Sequence, residues 1–219
     1  MQRGRLKKEK GILYLIGDFM EGEEPLCKAL SAGVDVVQLR EKNLSSAEYL
    51  RRALKMRELA DRFHTLFVVN DRVDIALMAG ADGVHLGKED VPVEAARRLF
   101  PGGIIGATAK TRDQALKAWR EGADYLGSGA WFATTTKPDA LPLAPKAYGE
   151  ILSAVPIPTV AVGGITLENC DRLLACGAHG LAVSAGILKA ADISGTVAGF
   201  REKLNINILS TESCCQTHP

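Results

Sequence analysis

The chain has no long hydrophobic run, almost no net charge and few cysteines. Its first apolar run, Ile12 to Ile16, has the length of one strand. That is too short for a signal-peptide core and far too short to cross a bilayer. The basic stretch before it (Arg3, Arg5, Lys7, Lys8, Lys10) therefore leads into no targeting or membrane segment. A formal charge of +1 over 219 residues argues against nucleic acid as a partner, which needs a basic surplus or stripe. The five cysteines are Cys27, Cys170, Cys176, Cys214 and Cys215, an odd number with no C-x-x-C pair. That argues against a disulfide framework and a zinc site, and for reduced thiols in the cytoplasm. No G-x-G-x-x-G follows the first strand, where Gly17-Asp18-Phe19 stands instead, so a dinucleotide-binding open sheet is disfavoured. An obvious catalytic histidine is also missing. His64, His179 and His218 read as surface or tail residues, and His85 as a packed, hydrogen-bonded histidine of the core.

What is present is the balance of a soluble globular enzyme, 47% hydrophobic and 24% charged residues. Eight short apolar runs read as strands: Ile12–Ile16, Val36–Leu39, Leu66–Val69, Gly83–Leu86, Ile104–Ala107, Tyr125–Ser128, Thr159–Val162 and Leu181–Ser184. Most are unbroken rather than alternating, as in parallel strands covered on both faces. The segments between them carry helical periodicity. One helix splits Leu50, Leu54 and Leu59 from Arg51, Arg52 and Lys55, and another gathers Ala115, Leu116 and Trp119. A joint recurs before alternate strands: Gly33-Val-Asp35, Gly80-Ala-Asp82, Gly122-Ala-Asp124, and again Gly177-Ala178-His179. It marks helix ends and reads as one βα unit used repeatedly. Eight such units predict a single (β/α)8 TIM barrel, about residues 11–204, followed by a flexible tail over 205–219 that holds Cys214 and Cys215.

Barrel active sites lie at the C-terminal ends of the strands. Strand two ends in Gln38-Leu39-Arg40-Glu41-Lys42. Alternate residues of a strand share a face, so Gln38, Arg40 and Lys42 line up roughly 6.5 Å apart. An amide and two cations together are not core packing. Arginine as a planar fork and lysine as a point charge suit a phosphate or diphosphate. Strand three ends in Asn70-Asp71-Arg72. Strand four carries His85 and Lys88-Glu89-Asp90, and strand five Thr108 and Lys110. Strand six carries Ser128 and then, in the loop 131–145, Thr134, Thr135, Thr136 and Lys137. Strands seven and eight end in Gly163-Gly164 and Ser184-Ala185-Gly186. Asp71 and Asp90 near the cations point to one Mg²⁺, which favours a couple of carboxylates with waters and phosphate oxygens. The bare N–H groups of Gly164, Ser184 and Ala185 form a barrel phosphate cradle. Two phosphate sites fit the joining of two phosphorylated molecules with diphosphate leaving.

The strings QLREK (Gln38–Lys42), VNDR (Val69–Arg72), GVHLGKED (Gly83–Asp90), GATAKT (Gly106–Thr111), TTTK (Thr134–Lys137) and VGGI (Val162–Ile165) resemble the thiamine phosphate synthase family, in order, over about residues 12–203. The resemblance implies a Mg²⁺-dependent transferase that condenses 4-amino-2-methyl-5-hydroxymethylpyrimidine diphosphate with 4-methyl-5-(2-phosphoethyl)thiazole. It implies that Gln38, Leu39, Arg40, Glu41, Lys42, Asn70, Thr108 and Lys137 meet the pyrimidine diphosphate, with Arg40, Lys42, Thr108 and Lys137 catalytic. Asp71 and Asp90 would hold Mg²⁺, and Thr134, Thr135, Thr136, Gly164, Ser184 and Ala185 the thiazole phosphate. The chain departs from the family pattern at Lys88, at Ala130–Ala133 and at the order Ser184-Ala185-Gly186. Two alternatives are a thiazole tautomerase-like isomerase, which typically has histidine where this chain has Lys110, and a non-catalytic barrel binding thiazole or thiamine phosphate. The oligomeric state is left open, a homo-oligomer included.

Overall fold

The computed structural model describes residue 6, residues 11–132 and residues 143–215, with side chains to residue 206. Eight strands close into a parallel barrel in chain order, the last pairing with the first. They are β1 (Ile12–Gly17), β2 (Val36–Leu39), β3 (Leu66–Asn70), β4 (Gly83–Leu86), β5 (Ile104–Thr108), β6 (Tyr125–Ser128), β7 (Thr159–Val162) and β8 (Gly180–Val183). The helices are α1 (Glu24–Ser31), α2 (Ser46–Arg62), α3 (Val73–Met78), α4 (Val93–Leu99), α5 (Arg112–Arg120), α6 (Pro145–Ala154), α7 (Cys170–Ala175), α8 (Ala185–Leu188) and α9 (Ile193–Cys215). Strand eight begins and ends one residue earlier than the sequence suggests, so Ser184 lies at the start of α8 rather than in the sheet.

The period-two rule divides the core. Leu13, Leu15, Val37, Leu39, Phe67, Val69, Ile105 and Leu126 face the helices, and Ile12, Tyr14, Val36, Val68, Ile104, Tyr125, Val160 and Ala182 fill the barrel. On α2 the buried stripe is Tyr49, Ala53, Met56, Leu59 and Ala60, which keeps the helical spacing. Leu54 lies off that stripe and is exposed, as is Trp119 on α5, so neither is the core residue that the simple apolar grouping predicts. The last helix also differs from expectation. It runs to Cys215, through much of the predicted tail, because no glycine or proline interrupts residues 200–215.

The recurrent joint has a physical meaning. Gly33, Gly80, Gly122 and Gly177 all adopt positive φ, the left-handed turn that ends a helix. The residue two positions on then accepts from the backbone of the preceding strand. Asp35 Oδ2 takes the N–H of Leu13 at 2.8 Å, Asp82 Oδ2 that of Phe67 at 2.8 Å, and Asp124 Oδ2 that of Ile105 at 2.8 Å. At the fourth joint His179 Nδ1 takes the N–H of Thr159 at 3.3 Å. His179 is thus a half-buried structural acceptor, not the surface residue read from the sequence. The carboxylates are tied in turn to Arg201, Arg57 and Arg97.

Helix α2 supplies the first testable result. Its N-cap Ser45 accepts from the N–H of Glu48, and the Glu48 carboxylate accepts from Arg51 and Arg52. The hydrogen bond from Arg51, then that from Arg52, lowers its pKa from 4.5 to about 2. A depressed acid stabilises the fold above its unfolded pKa and loses that contribution as pH falls toward the folded value. The urea midpoint of wild type should therefore exceed that of Glu48→Gln at neutral pH, and the gap should close between pH 4.5 and about 2. A gap independent of pH would show that the ion pairs contribute nothing.

Candidate active site

The C-terminal mouth of the barrel gathers the strand-end residues. On β2 the alternation continues past the last paired residue. Gln38 shares the barrel interior with Val36 and is buried, its Nε2–H donating to Tyr14 Oη at 2.8 Å. Arg40 follows, half-buried and anchored by its own N–H to Gly17 O at 2.9 Å, and then exposed Lys42. Leu39 and Glu41 take the opposite side. Leu39 is fully buried against the helices, and Glu41 pairs with Arg52 of α2 at 2.7 Å and accepts from the N–H of Phe19. Alternation sets Gln38, Arg40 and Lys42 on one side of this segment, while the side chains of Leu39 and Glu41 are engaged on the other.

Arg52, Arg57, Arg72, Arg97 and Arg201 each hold a carboxylate. Among the described residues Arg40 and Lys42 have no carboxylate partner, so a ligand phosphate has no acid to displace. Next to them, on the neighbouring strands, stand the loops after β3 and β4. Asn70 is buried at the end of β3, and its carbonyl shares the Tyr49 hydroxyl proton with the carbonyl of Leu39, both at 3.0 Å. Tyr49 thereby bridges the ends of β2 and β3. Burial, with the nearby Asp71 charge, raises its pKa and keeps the phenol protonated. Asp71 adopts φ +65°, a left-handed conformation, with its N–H donating to His85 O at 2.8 Å. Asp90 curls back so that its Oδ2 accepts from the N–H of Gly87 at 2.6 Å. Both carboxylates are half-buried at adjoining strand ends. No group of three or more metal-ligating side chains occurs among the described residues. A pair of carboxylates completed by water and phosphate oxygen is nevertheless a donor set magnesium accepts.

The opposite rim is made of backbone. Gly163 and Gly164 have φ of 105° and 65°, and a Cβ on Gly163 would press into Ala130 at 2.6 Å. The side chain of Asn169 clamps the turn, donating to Gly164 O and accepting from the N–H of Thr166, both at 2.9 Å. Ser184 opens α8 with its carbonyl accepting from Ile187 and Leu188. Among the described residues the N–H groups of Gly164, Ala185 and Gly186 have no partner, as an anion cradle requires. Thr108 lies half-buried at the end of β5, bonded to His85 Nε2 at 3.1 Å. Thr134, Thr135, Thr136 and Lys137 lie outside the described residues. Ser128 faces outward, buried and away from the mouth. Sequence reasoning missed Tyr14 and Tyr125, whose hydroxyls meet directly beneath this site at 2.8 Å.

Two cations without a carboxylate partner among the described residues, two acids at the neighbouring strand ends and a bare N–H cradle at β7 and β8 give the class: a (β/α)8 barrel whose mouth suits phosphorylated ligands. Comparison with known proteins narrows this. The chain belongs to the thiamine monophosphate synthase family, whose model matches residues 13–187, and it is a transferase. It is 43% identical over 198 residues to the thiamine-phosphate synthase of Clostridioides difficile, covering 88% of this chain and 94% of that one. With the thiamine-phosphate synthase of Pyrococcus horikoshii it shares 41% over 196 residues, covering 89% and 95%. The solved thiamine phosphate pyrophosphorylase from Pyrococcus furiosus superposes with a TM-score of 0.83 at 35% identity, covering 91% of this chain and 98% of that one. A 3-hexulose-6-phosphate synthase at 13% identity and a TM-score of 0.68 shares the fold alone. No helix among the described residues is long and apolar enough to cross a membrane.

Proposed function

We propose that this chain joins 4-amino-2-methyl-5-hydroxymethylpyrimidine diphosphate to 4-methyl-5-(2-phosphoethyl)thiazole, giving thiamine phosphate and diphosphate. The synthase reading, rather than the isomerase or the binding barrel, rests on family membership together with Arg40 and Lys42, which have no carboxylate partner among the described residues, at the strand end next to those that carry Asp71 and Asp90. An isomerase of a monophosphate has no use for that second, more highly charged anion site.

Arg40 and Lys42, with Lys137 from the loop after β6, bind the diphosphate and neutralise the charge that grows on it as its bond to the pyrimidine methylene breaks. Gln38, Asn70 and Thr108 orient the pyrimidine. The backbone at Gly164, Ser184 and Ala185, with Thr134, Thr135 and Thr136, holds the phosphate of the thiazole so that its ring nitrogen faces the methylene carbon. Asp71 and Asp90 would hold Mg²⁺, which when bound supplies further neutralisation of the departing diphosphate. The nitrogen attacks with its lone pair and carries no proton to be removed, so the site needs no general base. The near-neutral charge of the chain suits a cytoplasmic enzyme of small molecules with no nucleic-acid partner.

The test is direct. Purified protein with Mg²⁺ and both substrates should yield thiamine phosphate and diphosphate in equal amounts, and chelation of Mg²⁺ should stop both. Tight binding of the thiazole phosphate with no diphosphate released would overturn the proposal.

A further inference from the structure

Beneath the mouth, five side chains from five strands form one hydrogen-bonded line. Gln38 Nε2 on β2 meets Tyr14 Oη on β1 at 2.8 Å, and Tyr14 Oη meets Tyr125 Oη on β6 at 2.8 Å. Tyr125 Oη meets His85 Nδ1 on β4 at 3.1 Å, and His85 Nε2 meets Thr108 Oγ1 on β5 at 3.1 Å. The barrel makes room for it at a cost. Gly106 pairs in register with both His85 and Tyr125, and a Cβ there would fall 2.1 Å from the Tyr125 ring. A Cβ on Gly127 would stand 3.0 Å from the His85 ring. Glycine inside a strand weakens it, and neither position needs a positive φ. Both serve to seat the two rings.

Proton counting gives the line a direction. Tyr14 accepts from Gln38, so its own proton has the Tyr125 oxygen as its acceptor. A reversed Tyr125 would leave a buried Tyr14 O–H without a partner in this network. Tyr125 must then donate to His85 Nδ1. The imidazole proton is left on Nε2, where it donates to Thr108, and the Thr108 hydroxyl keeps its own proton to give.

We propose that Tyr14, Tyr125 and His85 are positioning residues that couple Gln38 to Thr108 through this one-way line. It holds the Gln38 amide with its Oε1 left to accept and the Thr108 hydroxyl left to donate, so that both walls of the pyrimidine site are set together. The inference rests on the proposed function for its substrate, but the line itself is a property of the protein alone. Breaking it in the middle removes no group that touches substrate, yet releases both ends.

Two measurements test it. Nitrogen-15 NMR of the imidazoles, with His85 assigned by the signal missing in His85→Gln, should show a neutral ring protonated on Nε2 at neutral pH. A ring protonated on Nδ1, or on both nitrogens, would overturn the direction and the proposal with it. Tyr125→Phe, which deletes one oxygen and keeps the packing, should lower kcat for diphosphate release about ten- to a hundredfold. Because both changes break one line, adding His85→Gln should cost no more than about a further twofold. Wild-type kcat and KM in folded Tyr125→Phe would mean that the line only packs the barrel, and would overturn the proposal. A wild-type protein that releases no diphosphate would instead overturn the synthase reading, and the NMR result would still decide the line.

Discussion

Asp71→Asn should leave a folded protein that releases diphosphate about a hundred to a thousand times more slowly than wild type. The choice of asparagine matters. Asp71 sits at φ +65°, where asparagine is among the few residues that rest without strain, and the N–H to His85 O at 2.8 Å is retained. Alanine would add backbone strain to the loss of charge and blur the result. Removing one of two carboxylates weakens the hold on Mg²⁺ and thus the neutralisation of the leaving group. Loss of one such electrostatic element typically costs about 3–4 kcal/mol in the barrier. The KM for the thiazole phosphate should hold, because its cradle lies on the far rim at β7 and β8, and raised Mg²⁺ should recover part of the rate. A loss under threefold, with no Mg²⁺ dependence, would remove Asp71 from the metal site.

The largest stability loss among the joints should fall on Asp82→Ala, about 3–5 kcal/mol by urea unfolding at neutral pH. The Asp82 side chain is 6% exposed and its partner Arg57 13%. One oxygen of Asp82 accepts both Arg57 Nη1 at 2.7 Å and the N–H of Phe67 at 2.8 Å. Truncation leaves a buried strand N–H and a buried guanidinium together, and exposed Asp61 offsets only part of the second. The equivalent Asp35 is 43% exposed and its partner Arg201 25%, so water replaces what Asp35→Ala removes, and about 1 kcal/mol is expected. Asp124 and Arg97, at 23% and 27%, should lie between. Equal losses at all three positions would mean that burial does not govern the joint.

The joint itself was legible as a repeated Gly-x-Asp before alternate strands. What it does was not, because the N–H it caps lies on the preceding strand, fifteen to twenty-two residues away. The face of each residue at the end of β2 was legible for a simpler reason. Alternation forces Gln38, Arg40 and Lys42 to one side and Leu39 and Glu41 to the other. Which side was the barrel interior could be settled only by closing the sheet. The same holds for the helices. Leu54 and Trp119 look like core by residue type, but the faces that α2 and α5 turn to the barrel are those of Ala53 and Met56 and of Ala115 and Ala118, which leaves both in water.

By itself the sequence determined the eight βα units, the parallel order they must take and the polar residues at their C-terminal ends, because periodicity and turn chemistry are local. Only the tertiary structure decided that Tyr14 and Tyr125, 111 residues apart, share a hydrogen bond under the site with His85. Each of the three reads alone as ordinary core. A hydrogen bond across a barrel depends on strand stagger and on the space two interior glycines leave, and neither is written in the neighbourhood of the residues it joins.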